Sequence, residues 1–308
     1  MTIGDLGEFG LIAGITQRLT SGPSVALGPG DDAAVVNAPD GRVVATTDLL
    51  VEGRHFRLDW SGPYDIGRKA AAQNLADVVA MGARPTALLV GFGAPAHTAV
   101  EWAQTLADGL RDECDLVGAS VAGGDVVRAG SVVLAITALG DLGGRRPLTR
   151  SGARPGDVVA VRGRLGYAAA GLAQLLAGGA CDPELVDAHR RPRPPYEAGT
   201  EAAEHGATAL LDVSDGLVQD LGHIAAASGV RIELDGAALP VPARLGPDGR
   251  HHVLTGGEDH AFAGTFPQAT RLPDGWRAIG RVAEGTGVLV DGAEYGRGGW
   301  DHFPDKNG

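Results

Sequence analysis

Aspartates recur in short glycine- or serine-marked segments along most of the 308-residue chain, and these segments are predicted to be turns. They are Asp31, Asp32, Asp48, Asp77, Asp125, Asp212 and Asp215. Most of them follow an apolar run, and carboxylates delivered in this way by separate elements are typical of a site assembled in three dimensions. Hard cations such as Mg²⁺ take oxygen ligands from carboxylates and usually share them with substrate phosphates. The pattern therefore predicts an enzyme that uses magnesium and a nucleotide.

Each aspartate, taken singly, also has an ordinary structural explanation. The pair in GPGDDAAV and Asp215 in DVSDGL could cap a helix or a strand. Asp48 could belong to a plain turn, and Asp77 could pair with Lys69 or Arg68. Asp77 is the most informative of them, because Ala, Leu, Val and Met surround it in a predicted helix and a buried carboxylate without a partner is costly. The segments together favour a metal site.

Charge makes the predicted metal obligatory. ATP carries about four negative charges, and a cluster of carboxylates repels it unless bound cations reverse the sign. Thr46 and Thr47 add hydroxyl oxygens beside Asp48, and two glycines let the backbone before Asp125 approach a ligand closely. The chain has neither a G-x-x-x-x-G-K-[ST] segment nor paired H-R-D and D-F-G motifs, which excludes a P-loop enzyme and a protein kinase.

The composition limits which classes of partner the protein is expected to bind. A formal charge of −12 without a basic stripe argues against a nucleic-acid partner. No apolar run is long enough to span a membrane, and the first residues lack the pattern of a signal peptide. Cys114 and Cys181 form no disulfide framework, so we expect a cytoplasmic protein with no membrane partner. The short basic run at 189–195 is either a solvated linker or an anion contact.

Periodicity in the first half predicts the elements that position the carboxylates. A first helix is expected over residues 8–19, and a short strand over 43–47 would deliver Asp48 at its end. A helix over 66–81 would place Asn74 and Asp77 on one face. Thr98 and Glu101 form a capping box for a helix running to about residue 116, and a long strand begins near residue 132.

A glycine-, arginine- and proline-rich stretch, GGRRPLTRSGARPGD, predicts a domain boundary near residue 147, hence domains 1–147 and 148–308. In the second half, strands are expected at DVVAVRG, TALLDVS, VRIELD, HHVLTGG and GVLVDG. Helices are expected at GYAAAGLAQLLAGG and at DGLVQDLGHIAAAS, the latter capped by Asp215. Interleaved strands and helices in both halves predict an α+β (layered α/β) protein of two domains.

These segments, in this order, resemble the thiamine-monophosphate kinase family of the aminoimidazole-ribonucleotide-synthetase superfamily. The matching stretches cover essentially the whole chain and are GDDAAV, TTDLLVEGRHF, GRKAAAQNLADVVAMGA, GGDVV, LTRSGARPGD, DVSDGL, GGEDH and GGWDHF. The VEG-x-HF extension is the most specific, because superfamily relatives share the GDD and GGD themes without it. The resemblance implies phosphorylation of thiamine monophosphate by ATP with several Mg²⁺ ions. It also implies a homodimer whose N-terminal domains bind ATP and magnesium and pair through their sheets, while the C-terminal domains complete the active site.

The resemblance also implies roles for particular residues. The implied magnesium ligands are Asp32, Thr46, Thr47, Asp48, Asp77, Asp125, Asp212 and Asp215. The implied nucleotide-binding residues are Gly124, Asp125, Arg150 and Ser214, and those around the thiamine moiety are His55, Glu258 and Trp300. Those expected to act most directly in catalysis are Asp48, Asp125, Asp215 and Arg150.

Three departures from the family pattern stand out. Val126 and Val127 follow GGD where threonines are usual, and Ala76 replaces a usual serine before Asp77. The segment from His260 to Phe262 replaces a usual Tyr-Glu-Leu after GGED, which alters the implied substrate pocket rather than the metal ligands.

The implied mechanism is direct in-line transfer of the γ-phosphoryl group. The acceptor phosphate is already ionised near pH 7, so catalysis would rest on positioning and on neutralisation of charge by Mg²⁺ and Arg150. His55 is either a group that positions substrate or a general base. Three alternatives remain open: another ATP-dependent enzyme of the superfamily, a non-catalytic maturation scaffold, and a protein that only binds or hydrolyses nucleotide. A selenophosphate synthetase would need a reactive cysteine near the N-terminus, whereas the first cysteine here is Cys114.

Overall fold

The computed structural model describes residues 2–6, 8–28, 34–295 and 299. The chain divides into two compact units, one of Met1–Val78 with Ala83–Arg145 and one of Val79–Gly82 with Arg146–Gly308. Each unit combines a sheet with helices, which confirms the predicted fold class. In the described part of the chain, no helix is long and apolar enough to cross a bilayer.

The first half of the chain forms a four-stranded sheet with helices packed on it. Its helices are α1 (Ile3–Leu6), α2 (Glu8–Thr16), α3 (Pro63–Ala80) and α4 (Val100–Asp115), and its strands are β1 (Val25–Leu27), β2 (Val35–Val36), β3 (Val44–Val51), β4 (Arg84–Ala94), β5 (Ser120–Arg128) and β6 (Val133–Asp141). The sheet order is β3-β6-β4-β5, so β3 and β5 are the edge strands, and β1 pairs separately with β2. Only the β4–β5 pair of the larger sheet is parallel.

Glycines bring α3 and α4 into backbone contact. A Cβ added at Gly67 would lie 2.2 Å from the carbonyl oxygen of Leu106, and one added at Gly109 would lie 2.2 Å from that of Tyr64. Real Cβ atoms do not approach that closely, so both helices need glycine where they cross. The close crossing suits the alanine-rich buried face of α3, in which Ala70, like its neighbours, is fully buried.

The second half forms a seven-stranded sheet with its own helices. The helices are α5 (Tyr167–Ala177), α6 (Pro183–Arg190), α7 (Ala198–Glu204), α8 (Leu217–Ser228) and α9 (Gly249–Thr255), and the strands are β7 (Val158–Arg162), β8 (Ala209–Val213), β9 (Arg231–Leu234), β10 (Ala261–Phe266), β11 (Arg277–Ala283), β12 (Gly287–Val290) and β13 (Ala293–Glu294). The strand order is β13-β12-β9-β11-β7-β10-β8. Every residue of β8 and β10 is buried, which explains why their sequences are mainly apolar.

Several expected elements differ from the observed ones. The segment HHVLTGG forms helix α9 and not a strand, because Val253 and Leu254 turn together into the core and a two-residue apolar run does not distinguish helix from strand. Strand β3 continues to Val51, so Asp48 lies inside the strand and not at its end. Asp125 likewise lies inside β5 and not in a turn.

Two predicted helix caps are also wrong. Helix α4 is preceded by Ala99 without any side-chain cap, so Thr98 does not form the predicted capping box. Helix α8 is preceded by Gly216, at a φ of 129°, and not by Asp215. The backbone N–H groups before α8 are bound instead by Asp220, in the first turn of that helix.

Candidate active site

In the first unit, an acidic patch lies where β3 meets α3. Thr46 and Asp48 are two residues apart on the strand and therefore share a face. The hydroxyl of Thr46 donates to Oδ2 of Asp77 at 2.9 Å, and Nε2 of Gln73 donates to Oδ2 of Asp48 at 3.1 Å. Gln73 and Asp77 are one turn apart on α3, so the helix and the strand together present two carboxylates on one patch.

Asn74 fixes the edge strand against α3 at this patch. Its buried side chain accepts a hydrogen bond from the backbone N–H of Asp48 at 3.1 Å and donates to the carbonyl oxygen of Ala70 at 2.9 Å. Two nearby cations, Arg68 and Lys69, are the possible partners of Asp77 on sequence grounds. Arg68 pairs with Glu113, and Lys69 donates to the carbonyl oxygen of His55 at 3.0 Å.

Thr47 and Asp125 lie on the other face of the same sheet. The hydroxyl of Thr47 donates to the carbonyl oxygen of Ile136 at 2.9 Å. When paired residues are followed across the sheet, Asp125 on β5 lines up through β4 and β6 with Leu49 on β3. Leu49 is the neighbour of Asp48. Because side chains alternate, Asp125 faces away from Asp48, and three strand spacings separate the two edge strands by about 14 Å. A single copy of this unit therefore does not bring Asp48 and Asp125 to one ion.

The glycine before Asp125 has a packing role. A Cβ at Gly124 would lie 2.0 Å from the carbonyl oxygen of Val90 on the neighbouring strand, so no larger residue fits. Asp125 is exposed, and its Oδ1 accepts a hydrogen bond from the backbone N–H of Val126 at 2.9 Å. Close packing between strands thus explains Gly124 without reference to a ligand.

His55 is held in a single tautomer. Its Nδ1 accepts a hydrogen bond from the backbone N–H of Val51 at 3.0 Å. A neutral imidazole with Nδ1 as acceptor carries its proton on Nε2, where it can only donate. A general base at Nε2 would need the proton on Nδ1, directly facing the N–H of Val51. The geometry favours His55 as a hydrogen-bond donor to substrate.

In the second unit, strand β8 delivers Asp212, and the turn after it carries Ser214 and Asp215. Oδ2 of Asp220 accepts three backbone N–H groups in succession, from Ser214 at 3.1 Å and from Asp215 and Gly216 at 3.0 Å each. Burial raises the pKa of Asp220 to about 7, and the charges of Asp212 and Asp215 add to the increase.

The occupied amides decide what this turn can bind. Three successive N–H groups form a concavity that binds anions in many proteins, and here it already holds the chain's own carboxylate. Those amides are therefore not available to a phosphate. The turn also carries the half-buried side chains of Ser214 and Asp215, whose oxygens suit a cation. The hydrogen bonding therefore favours a metal turn over an anion cradle at this position.

A second turn, GGEDH, packs directly on the first. The N–H of Glu258 donates to the carbonyl oxygen of Ser214 at 2.8 Å, and that of His260 donates to Val213 at 3.1 Å. A Cβ at Gly257 would lie 2.3 Å from the carbonyl oxygen of Ser214, so the turns touch backbone to backbone. Glu258 and His260 both adopt positive φ, 65° and 51°, conformations that non-glycine residues take only when the surroundings enforce them.

Asp259 anchors the second turn from inside. Its carboxylate accepts the backbone N–H of Ala168 at 2.8 Å and that of Gly166, so it caps the start of α5 from a distant part of the chain. Burial raises the pKa of Asp259 to about 7. With Asp259 turned inward, its two neighbours point elsewhere: Oε2 of Glu258 lies 3.4 Å from Nδ1 of His189, and Nδ1 of His260 lies 3.0 Å from Oδ2 of Asp212.

Sequence reasoning missed four residues of this second region: His189, Asp220, Asp259 and, as a contact of Asp212, His260. An acidic residue in the first turn of α8 was visible in DVSDGLVQD, and the N-terminal preference for acidic residues offered a signal for Asp220. Nothing in the sequence relates His189 to Glu258, because 69 residues separate them and only the fold makes them neighbours.

Of the remaining predicted site residues, the structure describes Arg150 but not Asp32 or Trp300. Arg150 is exposed, its carbonyl oxygen accepts the hydroxyl of Ser228 at 2.8 Å, and no ion pair joins its guanidinium to another described residue. Asp32, its neighbour Asp31, and Trp300 lie outside the described residues, so their roles stay predictions.

Magnesium fits the chemistry of both patches. Within the described ranges, no group of three or more His, Cys, Asp or Glu side chains is arranged to hold a metal ion. Mg²⁺ does not require such a cage, since it is usually held by one or two carboxylates, with substrate phosphates and water completing the octahedron. Asp48 with Asp77 in the first unit and Asp212 with Asp215 in the second provide oxygen donors of that kind.

The chain matches two family models and a curated relative. Residues 30–142 match the N-terminal domain of AIR synthase related proteins, and residues 154–272 match their C-terminal domain. The thiamine-monophosphate kinase of Mycobacterium tuberculosis is 51% identical over 319 residues, with 100% of this chain and 95% of that protein covered.

Two solved structures are similar as well. The crystal structure of thiamine-monophosphate kinase from Stenotrophomonas maltophilia superposes with a TM-score of 0.82 at 35% identity, covering 92% of this chain and 96% of that one. A structure described as "AaThiL complexed with AMPPCP and TMP" superposes with a TM-score of 0.81 at 34% identity, covering 98% and 99%. The chain therefore belongs to the AIR synthase related family, and within it to the thiamine-monophosphate kinases, which confirms the resemblance drawn from its motifs.

Proposed function

We propose that this protein transfers the γ-phosphoryl group of ATP to thiamine monophosphate, giving ADP and thiamine diphosphate. The observation that carries the proposal is the likeness, over 98% of the chain, to a structure bound to AMPPCP and TMP. AMPPCP is an ATP analogue whose methylene bridge prevents γ-phosphoryl transfer, so that complex pairs a donor analogue with an acceptor. The 51% identity to a thiamine-monophosphate kinase over the full chain supports the same reaction.

The cation sites belong to the same proposal. Asp48, Asp77 and Thr46 would hold Mg²⁺ in the first unit, and Asp212 and Asp215 would hold it in the second. Thr47, Asp125 and Asp32 complete the proposed ligands. The bound cations would neutralise the charge of the phosphates during transfer.

The chain's own residues would mainly position the reactants. His55 would donate from Nε2, because Nδ1 is engaged by the backbone. The exposed guanidinium of Arg150 and the hydroxyl of Ser214 would contact the phosphates of the nucleotide. Glu258 and Trp300 would face the thiamine moiety. Because the acceptor phosphate is ionised near neutral pH, no side chain has to remove a proton from it.

A homodimer is the third part of the proposal. Three large apolar side chains on the open face of the four-stranded sheet are exposed: Leu49 by 59%, Leu89 by 36% and Val127 by 54%. Exposed apolar groups gathered on one face mark an interaction surface. Pairing with a second copy through this face would cover them, and the same face carries Thr47 and Asp125. We place the activity in the cytoplasm, where the free thiols of Cys114 and Cys181 would stay reduced.

Release of ADP from Mg-ATP, measured with and without thiamine monophosphate, tests the proposal. Thiamine diphosphate would be followed by chromatography, and we expect it in a one-to-one ratio with ADP, with both products lost on addition of EDTA. ADP release that is independent of thiamine monophosphate would instead identify a nucleotide hydrolase or an enzyme with another acceptor.

A further inference from the structure

Asp212 and His260 form a buried pair in the second unit. Their exposed fractions are 7% and 6%, and Nδ1 of the imidazole lies 3.0 Å from Oδ2 of the carboxylate. An ionised carboxylate only accepts hydrogen bonds, so Nδ1 must carry the proton and donate it. Oδ2 is therefore committed to the histidine, while no hydrogen bond joins Oδ1 of Asp212 to another described residue.

The backbone of His260 is strained to make this contact. Its φ of 51° lies in the left-handed region, which is uncommon for a histidine. The conformation is enforced on both sides: the N–H of His260 donates to the carbonyl oxygen of Val213, and Asp259 is anchored at the start of α5. Backbone strain that the surroundings maintain at a candidate site indicates that the imidazole of His260 has to lie at this position.

We propose that His260 is a positioning residue, which holds Oδ2 of Asp212 so that this aspartate binds a divalent cation through Oδ1 alone. The inference rests on the proposed function, since it takes Asp212 as a cation ligand. Mg²⁺ demands near-ideal octahedral geometry, so a carboxylate that cannot rotate to bind through both oxygens is an advantage. Groups that orient a ligand from outside change metal affinity by about 10- to 100-fold when they are removed.

Two substitutions at position 260 separate the hydrogen bond from the backbone conformation. Glycine and asparagine both tolerate positive φ, so neither His260→Gly nor His260→Asn should strain the turn. Asparagine retains an N–H donor close to the place of Nδ1, whereas glycine has none. Asp212→Asn is the reference for loss of the ligand itself, and thermal unfolding of each variant reports whether the unit remains folded.

Mn²⁺ is the probe, and its binding to the full-length protein is measured from the electron paramagnetic resonance signal of the free ion. Mn²⁺ binding that Asp212→Asn abolishes defines the relevant site. We expect His260→Gly to weaken binding at that site by about 10- to 100-fold and His260→Asn to stay within about threefold of the unchanged protein. The Mg²⁺ concentration for half-maximal product formation should rise in the same order, with the KM for thiamine monophosphate little changed.

The outcomes separate this inference from the proposed function. If the unchanged protein makes thiamine diphosphate and shows Asp212-dependent Mn²⁺ binding that His260→Gly leaves intact, the positioning role is wrong and the function stands. Equal loss in folded His260→Gly and His260→Asn would also overturn it, since the hydrogen bond would not be the cause. If Asp212→Asn binds Mn²⁺ like the unchanged protein, Asp212 is not a ligand and the inference fails, whether or not the protein is a kinase.

Discussion

The two acidic regions are built in different ways. In the first unit, Asp48 and Asp77 lie in the interior of a regular strand and a regular helix, and neighbouring side chains hold them. In the second unit, Asp215 and Glu258 lie in two turns that are held backbone to backbone. Regular elements place side chains by periodicity, whereas the turns depend on a few specific contacts. We therefore expect substitutions of the carboxylates in the first region to remove chemistry, and substitutions at the backbone contacts between the two turns of the second region to remove structure.

Asp48→Asn should have the largest effect on activity. The change keeps the shape of the side chain but removes the negative charge on the proposed magnesium patch, so we expect kcat to fall by at least about 1000-fold. Thermal unfolding should be nearly unchanged, because β3 is held mainly through its backbone pairing. Asp59→Asn is the control, since Asp59 is an exposed carboxylate that pairs with the nearby Arg57. Substantial turnover in Asp48→Asn would contradict the metal assignment.

Gly257→Ala should destabilise the second region. The added Cβ would meet the carbonyl oxygen of Ser214 at 2.3 Å and push the two turns apart, at a cost of about 1–3 kcal/mol in the free energy of unfolding. Urea denaturation measures the change. Gly222→Ala, inside α8 with open space around it, should instead stabilise the protein by about 0.5–1 kcal/mol. Equal changes in the free energy of unfolding for Gly257→Ala and Gly222→Ala would contradict the expected difference between the two positions.

His55 variants distinguish a donor from a base. His55→Gln keeps an N–H donor near the place of Nε2, so we expect kcat within about tenfold of the unchanged protein and a higher KM for thiamine monophosphate. Loss of a general base would lower kcat by about 10²–10⁴-fold in both His55→Gln and His55→Ala. Steady-state kinetics over a range of pH would show which pattern holds, and equal large losses of kcat would restore the base hypothesis.

Asp259→Asn should change how stability depends on pH. The pKa of Asp259 is raised from 3.8 to about 7 in the folded protein, so between these values the folded state holds a proton that the unfolded state has released. This residue therefore stabilises the fold fully below pH 3.8, and the contribution is lost as pH rises towards 7. The difference in Tm between the unchanged protein and Asp259→Asn should shift in favour of the variant across that range. A constant difference would show that this carboxyl group does not titrate there.

The sequence predicted more of the first region than of the second. Helix α3 was expected within a few residues of its observed bounds, so Asn74 and Asp77 were correctly placed on one face. The same patterns did not show that β3 extends past Asp48, because local propensity does not mark where pairing with β6 ends. In the second region, the residues that hold the turns are Asp220 and Asp259, and neither was recognised. Their partners are backbone amides, and only the position of Asp220 in the first turn of α8 offered a sequence signal.

The sequence by itself determined the fold class, the family and the chemical type of the site, because periodicity, glycine-marked motifs and oxygen-rich side chains are local properties of the chain. Only the tertiary structure decided which carboxylates can act together. Strand register places Asp48 and Asp125 on opposite faces of one sheet, and loop packing brings Asp212 to His260. Register and loop packing are set by contacts between residues that are distant in the chain, and spacing along the sequence carries no record of them.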